Sequence, residues 1–116
     1  MARYDRSSGR KRMSQHYFNT LTQDGEPVSV LMGWDRPLGH FFLVVEKDTD
    51  DDEYLYSNLD DPQALFNRPL SYYREKLAIL GIDVPDSMFV EIERDKAMNT
   101  GNRYVWHRPD GTFEER

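Results

Sequence analysis

Residues 28–47 read Val28-Ser29-Val30-Leu31-Met32-Gly33-Trp34-Asp35-Arg36-Pro37-Leu38-Gly39-His40-Phe41-Phe42-Leu43-Val44-Val45-Glu46-Lys47, and this stretch sets the fold class. The first part alternates and then turns apolar throughout. Asp35 to Gly39 has turn chemistry at both ends. His40 to Lys47 is the most apolar segment of the chain, bounded by turn residues, and reads as a strand buried on both faces at the centre of a sheet. Upstream, His16-Tyr17-Phe18-Asn19-Thr20-Leu21 is rich in β-favouring residues and is followed by Asp24-Gly25, which supplies the positive φ of a tight turn. Downstream, Glu53-Tyr54-Leu55-Tyr56-Ser57 alternates. Sequential connections this short predict four adjacent antiparallel strands between residues 15 and 58.

Beyond residue 60 the period changes. Asp60-Asp61-Pro62 is a helix start, so 61–67 reads as a short helix ended by Pro69. Leu70, Tyr73, Leu77 and Leu80 place one apolar stripe on a second helix, with Ser71 as its cap and Gly81 at its C-terminus. Residues 86–99 alternate like a strand but are framed by Pro85-Asp86 and Asn99-Thr100-Gly101-Asn102, and the framing favours a helix. Arg103 to His107 forms a last strand, closed by the Pro109-Asp110-Gly111 turn before a frayed end. The expected fold class is therefore α+β: a four-stranded antiparallel meander, two helices (three with 61–67) packed on one face, and a final short strand.

Length and charge narrow the function classes. A chain of 116 residues makes one domain. It has no cysteine, which removes disulfides, thiolate zinc sites and cysteine nucleophiles together and suits a reducing compartment. The longest apolar run, Phe41–Val45, falls far short of the roughly 18 residues of a membrane span, and the expected location is cytoplasmic, with no membrane partner. The net charge of −6 is unevenly spread. Residues 1–12 hold five cations (Arg3, Arg6, Arg10, Lys11, Arg12) against Asp5, which leaves 10 basic and 20 acidic side chains in residues 13–116. Three readings of the head are open: an arm that reaches nucleic acid or an acidic partner, an inert tail, or a segment preceding a natural start at Met13. The domain proper is then 13–116. Its acidity repels phosphate, so nucleic acid is a partner for residues 1–12 at most.

The sequence holds no catalytic or cofactor signature. No serine stands in a nucleophile-elbow context, and glycine-rich phosphate loops are lacking. Between Glu46 and Asp61 eight carboxylates face Lys47 alone, and Asp48, Asp50 and Asp52 open like a calcium loop. Glu53 and Leu59 then stand where that loop needs glycine and glutamate, so only weak, open coordination of a hard cation is left to these three. His16, His40 and His107 have no metal-ligand spacing, though neighbouring strands could bring them together. A helix-turn-helix reading across Leu80–Pro85 fails on charge, because the second helix carries Glu91, Glu93 and Asp95. The segments that suit recognition are Trp34-Asp35-Arg36-Pro37 and Tyr54-Leu55-Tyr56, because tryptophan, tyrosine and arginine dominate interface hot spots. With the acidic loop they give the partner-binding candidates Trp34, Asp35, Arg36, Asp50, Asp51, Asp52, Tyr54 and Tyr56. No catalytic residue, metal or cofactor is assigned.

Tyr17-Phe18-Asn19-Thr20, Val30–Leu38, Phe41–Glu46, Tyr54–Asn58 and Asn99–Arg103 together resemble short uncharacterised proteins carried on bacterial mobile elements such as integrating conjugative elements. The resemblance spans about residues 13–108. It brings no activity or site residues, but it implies a context of small proteins acting on host or competing-element machinery, acidic imitators of nucleic acid among them. Three functional expectations follow. The first is a non-enzymatic interaction or regulatory module that meets a protein with a basic surface. The second is a nucleic-acid accessory protein using the basic arm. The third is a small enzyme or metal-dependent site built from His and Asp/Glu.

Overall fold

Strand-forming residues dominate up to Ser57 and helical periodicity takes over after Pro69, and the molecule divides there into a sheet and a layer laid across it. The structure, a computed structural model, describes residues 13–49, 53–65 and 67–116. The expectations placed on residues 1–12 and on Asp50, Asp51 and Asp52 lie outside the described residues.

The strands are β1 (Ser14–Leu21), β2 (Pro27–Asp35), β3 (His40–Lys47), β4 (Tyr54–Ser57), β5 (Arg103–His107) and β6 (Phe113–Glu115). They form one six-stranded sheet in the order β4-β3-β2-β1-β5-β6. The meander of β1 to β4 is antiparallel as expected. The expected four-stranded meander with one final strand becomes a single six-stranded sheet. The last long strand, β5, runs parallel to β1 and extends the sheet, because the chain returns through the helix layer and a crossover delivers a parallel neighbour. The charged end, expected to fray, forms β6 against β5. The central strands are consequently β1 and β2. Strand β3 is buried on both faces from Phe41 to Val45, but it lies second from the edge.

The helices are α1 (Leu70–Ile79) and α2 (Asp86–Met98), so the framing of residues 86–99 decides over their alternation. Instead of a helix over 61–67 there are two 3-10 turns, Asn58–Asp60 and Pro62–Leu65. Helix α1 starts behind Pro69 with no side-chain cap, two residues too early for Ser71 to serve. Both helices end alike. Gly81 at φ +73° and Asn99 at φ 49° occupy the left-handed region. The next N–H of each reaches back to the last turn, Ile82 to Leu77 at 3.0 Å and Thr100 to Asp95 at 2.8 Å.

Even-numbered residues of β1 and β2 face the helices. With Phe41, Leu43 and Val45 they meet Leu70, Tyr73 and Leu77 of α1 and Met88 and Ile92 of α2 in the main core. Burying each of these large side chains is worth about 1.5–3 kcal/mol. The opposite face carries a smaller cluster of Met13, Leu31, Phe42 and Val44 with Tyr17 against it. One glycine is fixed by space rather than by φ. A Cβ on Gly33 would lie 2.0 Å from the carbonyl oxygen of Ser14, where β1 crosses close to β2.

Candidate functional site

Two groups of titratable side chains stand out, one at each end of the sheet. The first is at the β4 edge. The β3–β4 ladder pairs Val45 with Tyr56 and Glu46 with Tyr54, passing over Leu55. This irregularity breaks the expected alternation: Leu55 and Tyr56 both pack against the main core, and the two tyrosines do not share a simple face. Tyr56 donates its hydroxyl to Asp61 at 2.6 Å, Tyr72 of α1 donates to the same carboxylate oxygen at 2.7 Å, and Tyr54 donates to Asp60. The other oxygen of Asp61 accepts the N–H of Gln63 at 3.0 Å. Burial works to raise the pKa of Asp61, but the two tyrosine hydroxyls, the Gln63 amide and Lys76 more than offset it and hold the group below the usual carboxylate range. Burial and the same carboxylate push Tyr56 and Tyr72 up. Tyr73, deeper in the core, is pushed up to about 12 by burial first and by Tyr72 and Asp61 after it.

A cleft of about 390 Å³ opens here, lined by Tyr54, Leu55, Tyr56, Asp60, Asp61 and Lys76 among others. Around it, Glu53 and Asp60 are exposed and Asp48 stands at the end of β3. Of the nearby cations, Lys47 is engaged by Glu53 at 3.2 Å and Glu26 at 3.6 Å, and Lys76 stands 4.0 Å from Asp61. The edge therefore combines an outer strand, aromatic rings held by carboxylates, and negative charge in excess.

The second group lies beneath α2 and was not read from the sequence as a unit. Asp95 occupies the buried stripe of α2 after Met88 and Ile92. One of its oxygens accepts from His16 Nε2 at 2.6 Å and the other from Arg103 at 2.7 Å. His16 Nδ1 lies 2.8 Å from His107 Nε2, with one proton between the rings, and the rings stack. Arg103 spreads its remaining donors over Glu91 at 2.8 Å and Glu115 at 2.9 Å. Burial works to raise Asp95, while the bonds from His16, Arg103 and Ser14 bring it below its ordinary value. Burial and the neighbouring His16 lower His107 to about 4. The signal available in the sequence was a carboxylate at a core position of a helix, three residues beyond Ile92.

A chain Asp95–His16–His107 can pass a proton along its length. It offers no substrate access, because His16 is 0%, Asp95 1% and His107 6% exposed. The neighbouring cavity of about 230 Å³ is lined by Arg94, Asp95, Met98, Thr100, Arg103 and Glu115, and so reaches the arginine end alone. Two of the three histidines thus converge, on each other and on Asp95 rather than on the acidic loop. His40 bonds the carbonyl of Phe41 at 2.9 Å instead. Among the described residues no three His, Asp or Glu side chains are arranged to hold a metal ion.

The other recognition candidates fall on both sides of the surface. Trp34 is 7% exposed, donates to Asn99 Oδ1 at 3.1 Å and meets Phe41 edge-on. Asp35 is buried and accepts the N–H of Leu38 at 3.1 Å, holding the β2–β3 turn. Arg36 is exposed at that turn. The turn joins the far ends of β2 and β3, whereas β4 pairs with the Val44–Glu46 half of β3, so Trp34–Arg36 and Tyr54–Tyr56 are not one surface. No helix among the described residues is long and apolar enough to cross a membrane. No protein-family model, curated protein or solved structure matches the chain.

Proposed function

We propose that this protein is a non-enzymatic interaction module whose β4 edge takes a basic, extended segment of a partner protein. The observation that carries the reading is the outer strand β4, with Tyr54 and Tyr56 held by Asp60 and Asp61 around an open cleft. Lysine or arginine side chains would pair with Glu53, Asp60 and the acidic loop, and their stems would lie on the tyrosine rings. Main-chain bonds to the outer strand would add affinity without sequence preference. The acidic loop also discourages self-pairing of this edge, so charge selects the partner. On this reading the resemblance to mobile-element proteins fits a regulatory or inhibitory role, with the acidic edge standing in for nucleic-acid phosphate on a basic host surface.

The test is fluorescence anisotropy with a labelled, extended Lys/Arg-rich peptide at low and high salt. Binding should weaken steeply with salt, and a Glu53→Gln/Asp60→Asn variant should lose roughly tenfold, about 1.4 kcal/mol. Absence of binding at low salt, or binding that ignores both salt and the variant, would overturn the reading.

A further inference from the structure

Strand β6 is three residues long, all exposed, and closes the β5 edge of the sheet. The seat beneath it is built by other elements. Arg103, its side chain 12% exposed, is fixed from α2 by Asp95 at 2.7 Å and Glu91 at 2.8 Å. Its Nε–H is left for the edge, where Glu115 accepts it at 2.9 Å. His107, held by His16, turns its ring to Phe113 with centroids 5.3 Å apart. On the other face of β5, Trp106 carries the Arg116 guanidinium 4.2 Å from its ring centre. The ladder places Phe113 opposite His107 and Glu115 opposite Val105. β6 fills this seat incompletely: Phe113 is 39% exposed, and His107 Nδ1 is buried with no hydrogen-bond partner.

We propose that the β5 edge is a second docking surface, which takes an antiparallel segment of a partner protein in place of β6. That segment carries an aromatic residue, a carboxylate two positions on, and a cation directly after it. The pre-set Arg103 donor and His107 ring give side-chain selectivity, and the β5 backbone gives the ladder, as in other strand-addition complexes. β6 then acts as an internal occupant that a better-fitting strand displaces. Charge complementarity at the edge is local: the Nε–H of Arg103 meets Glu115 at 2.9 Å, so the segment carries a carboxylate at that position, and the inference does not depend on the reading of β4.

The test uses the full ¹⁵N-labelled chain and a capped peptide of the sequence Thr112–Arg116. The amides of 103–107 and 113–115 should shift on titration, while those of 54–57 stay in place. Glu115→Gln in the chain should tighten peptide binding roughly tenfold, because the internal strand competes less well. Replacing the matching glutamate of the peptide by glutamine should weaken binding by a similar factor. No shift at millimolar peptide, or equal affinity for both chains, would overturn the proposal. Exchange of β6 between two copies in a mixed-label sample would also overturn it, assigning the seat to a second copy of this chain.

Discussion

The β4 edge and the network under α2 are built from similar parts, carboxylates hydrogen-bonded to ring side chains, yet they differ in how charge is settled. Under α2, Arg103 touches Glu91, Asp95 and Glu115 together, and His16 Nε2 meets the second oxygen of Asp95. At β4, Asp60 and Asp61 are bonded by neutral phenols instead, and Lys76 stands 4.0 Å from Asp61. A buried network has to be complete, because an unpaired charge in the interior costs several kcal/mol. An exposed edge can hold an excess, because water screens it until a partner arrives. The difference fits a histidine network that supports the fold and an edge proposed for binding.

The largest effect follows from removing the cation of the network. Arg103→Met takes the guanidinium away from Asp95 and Glu91 and leaves Asp95 to His16, and chemical denaturation should show a loss of about 3–5 kcal/mol. Lowering the pH attacks the same network from the histidine side. His107 is neutral in the folded protein down to about pH 4, whereas the unfolded chain takes up its proton near pH 6.5. Its contribution is therefore whole above pH 6.5 and is lost as the pH falls toward 4, by on the order of 3 kcal/mol. Glu91, Asp95 and Arg103 face the same ring pair, so denaturation curves across this window should flatten in a His107→Leu variant. If the slope survived that change, another group would be responsible for it.

Smaller effects belong to the other end of the sheet. Asp61→Asn weakens the bonds from Tyr56 and Tyr72 to a charged acceptor, and thermal or urea unfolding should report a loss of about 1–2 kcal/mol. The Glu53→Gln/Asp60→Asn variant should leave stability within about 0.5 kcal/mol while it loses peptide affinity. Stability that moves with those two exposed carboxylates would erase the distinction between the regions.

Much of this arrangement could be read along the chain where the signals were local. The β1–β4 meander follows from alternation and turn residues, and α2 was decided by Pro85 and Asn99, whose left-handed φ of 49° ends the helix. The partners of β5 could not be read in this way. Pairing Arg103 with Ser14 and Tyr104 with Gln15 joins residues about ninety positions apart, and no local periodicity encodes that choice. The histidine network depends on the same pairing, because only a parallel β5 beside β1 brings His107 to His16. At the β4 edge the tyrosines were legible, but 3-10 turns stand where a helix over 61–67 was expected, and they bring Asp60 and Asp61 to the tyrosines. Trp34 was misleading for a simple reason: an aromatic at a strand end has no marker of which face it will take.

The acidic β4 edge is proposed to bind and the histidine network to support the fold. The most direct measurement is a backbone amide titration of the whole protein with the basic peptide. Shifts confined to residues 44–47 and 53–61, with residues 95, 103 and 107 unmoved, are the predicted result. Shifts centred on His16, Asp95 and His107, with the β4 amides silent, would contradict it.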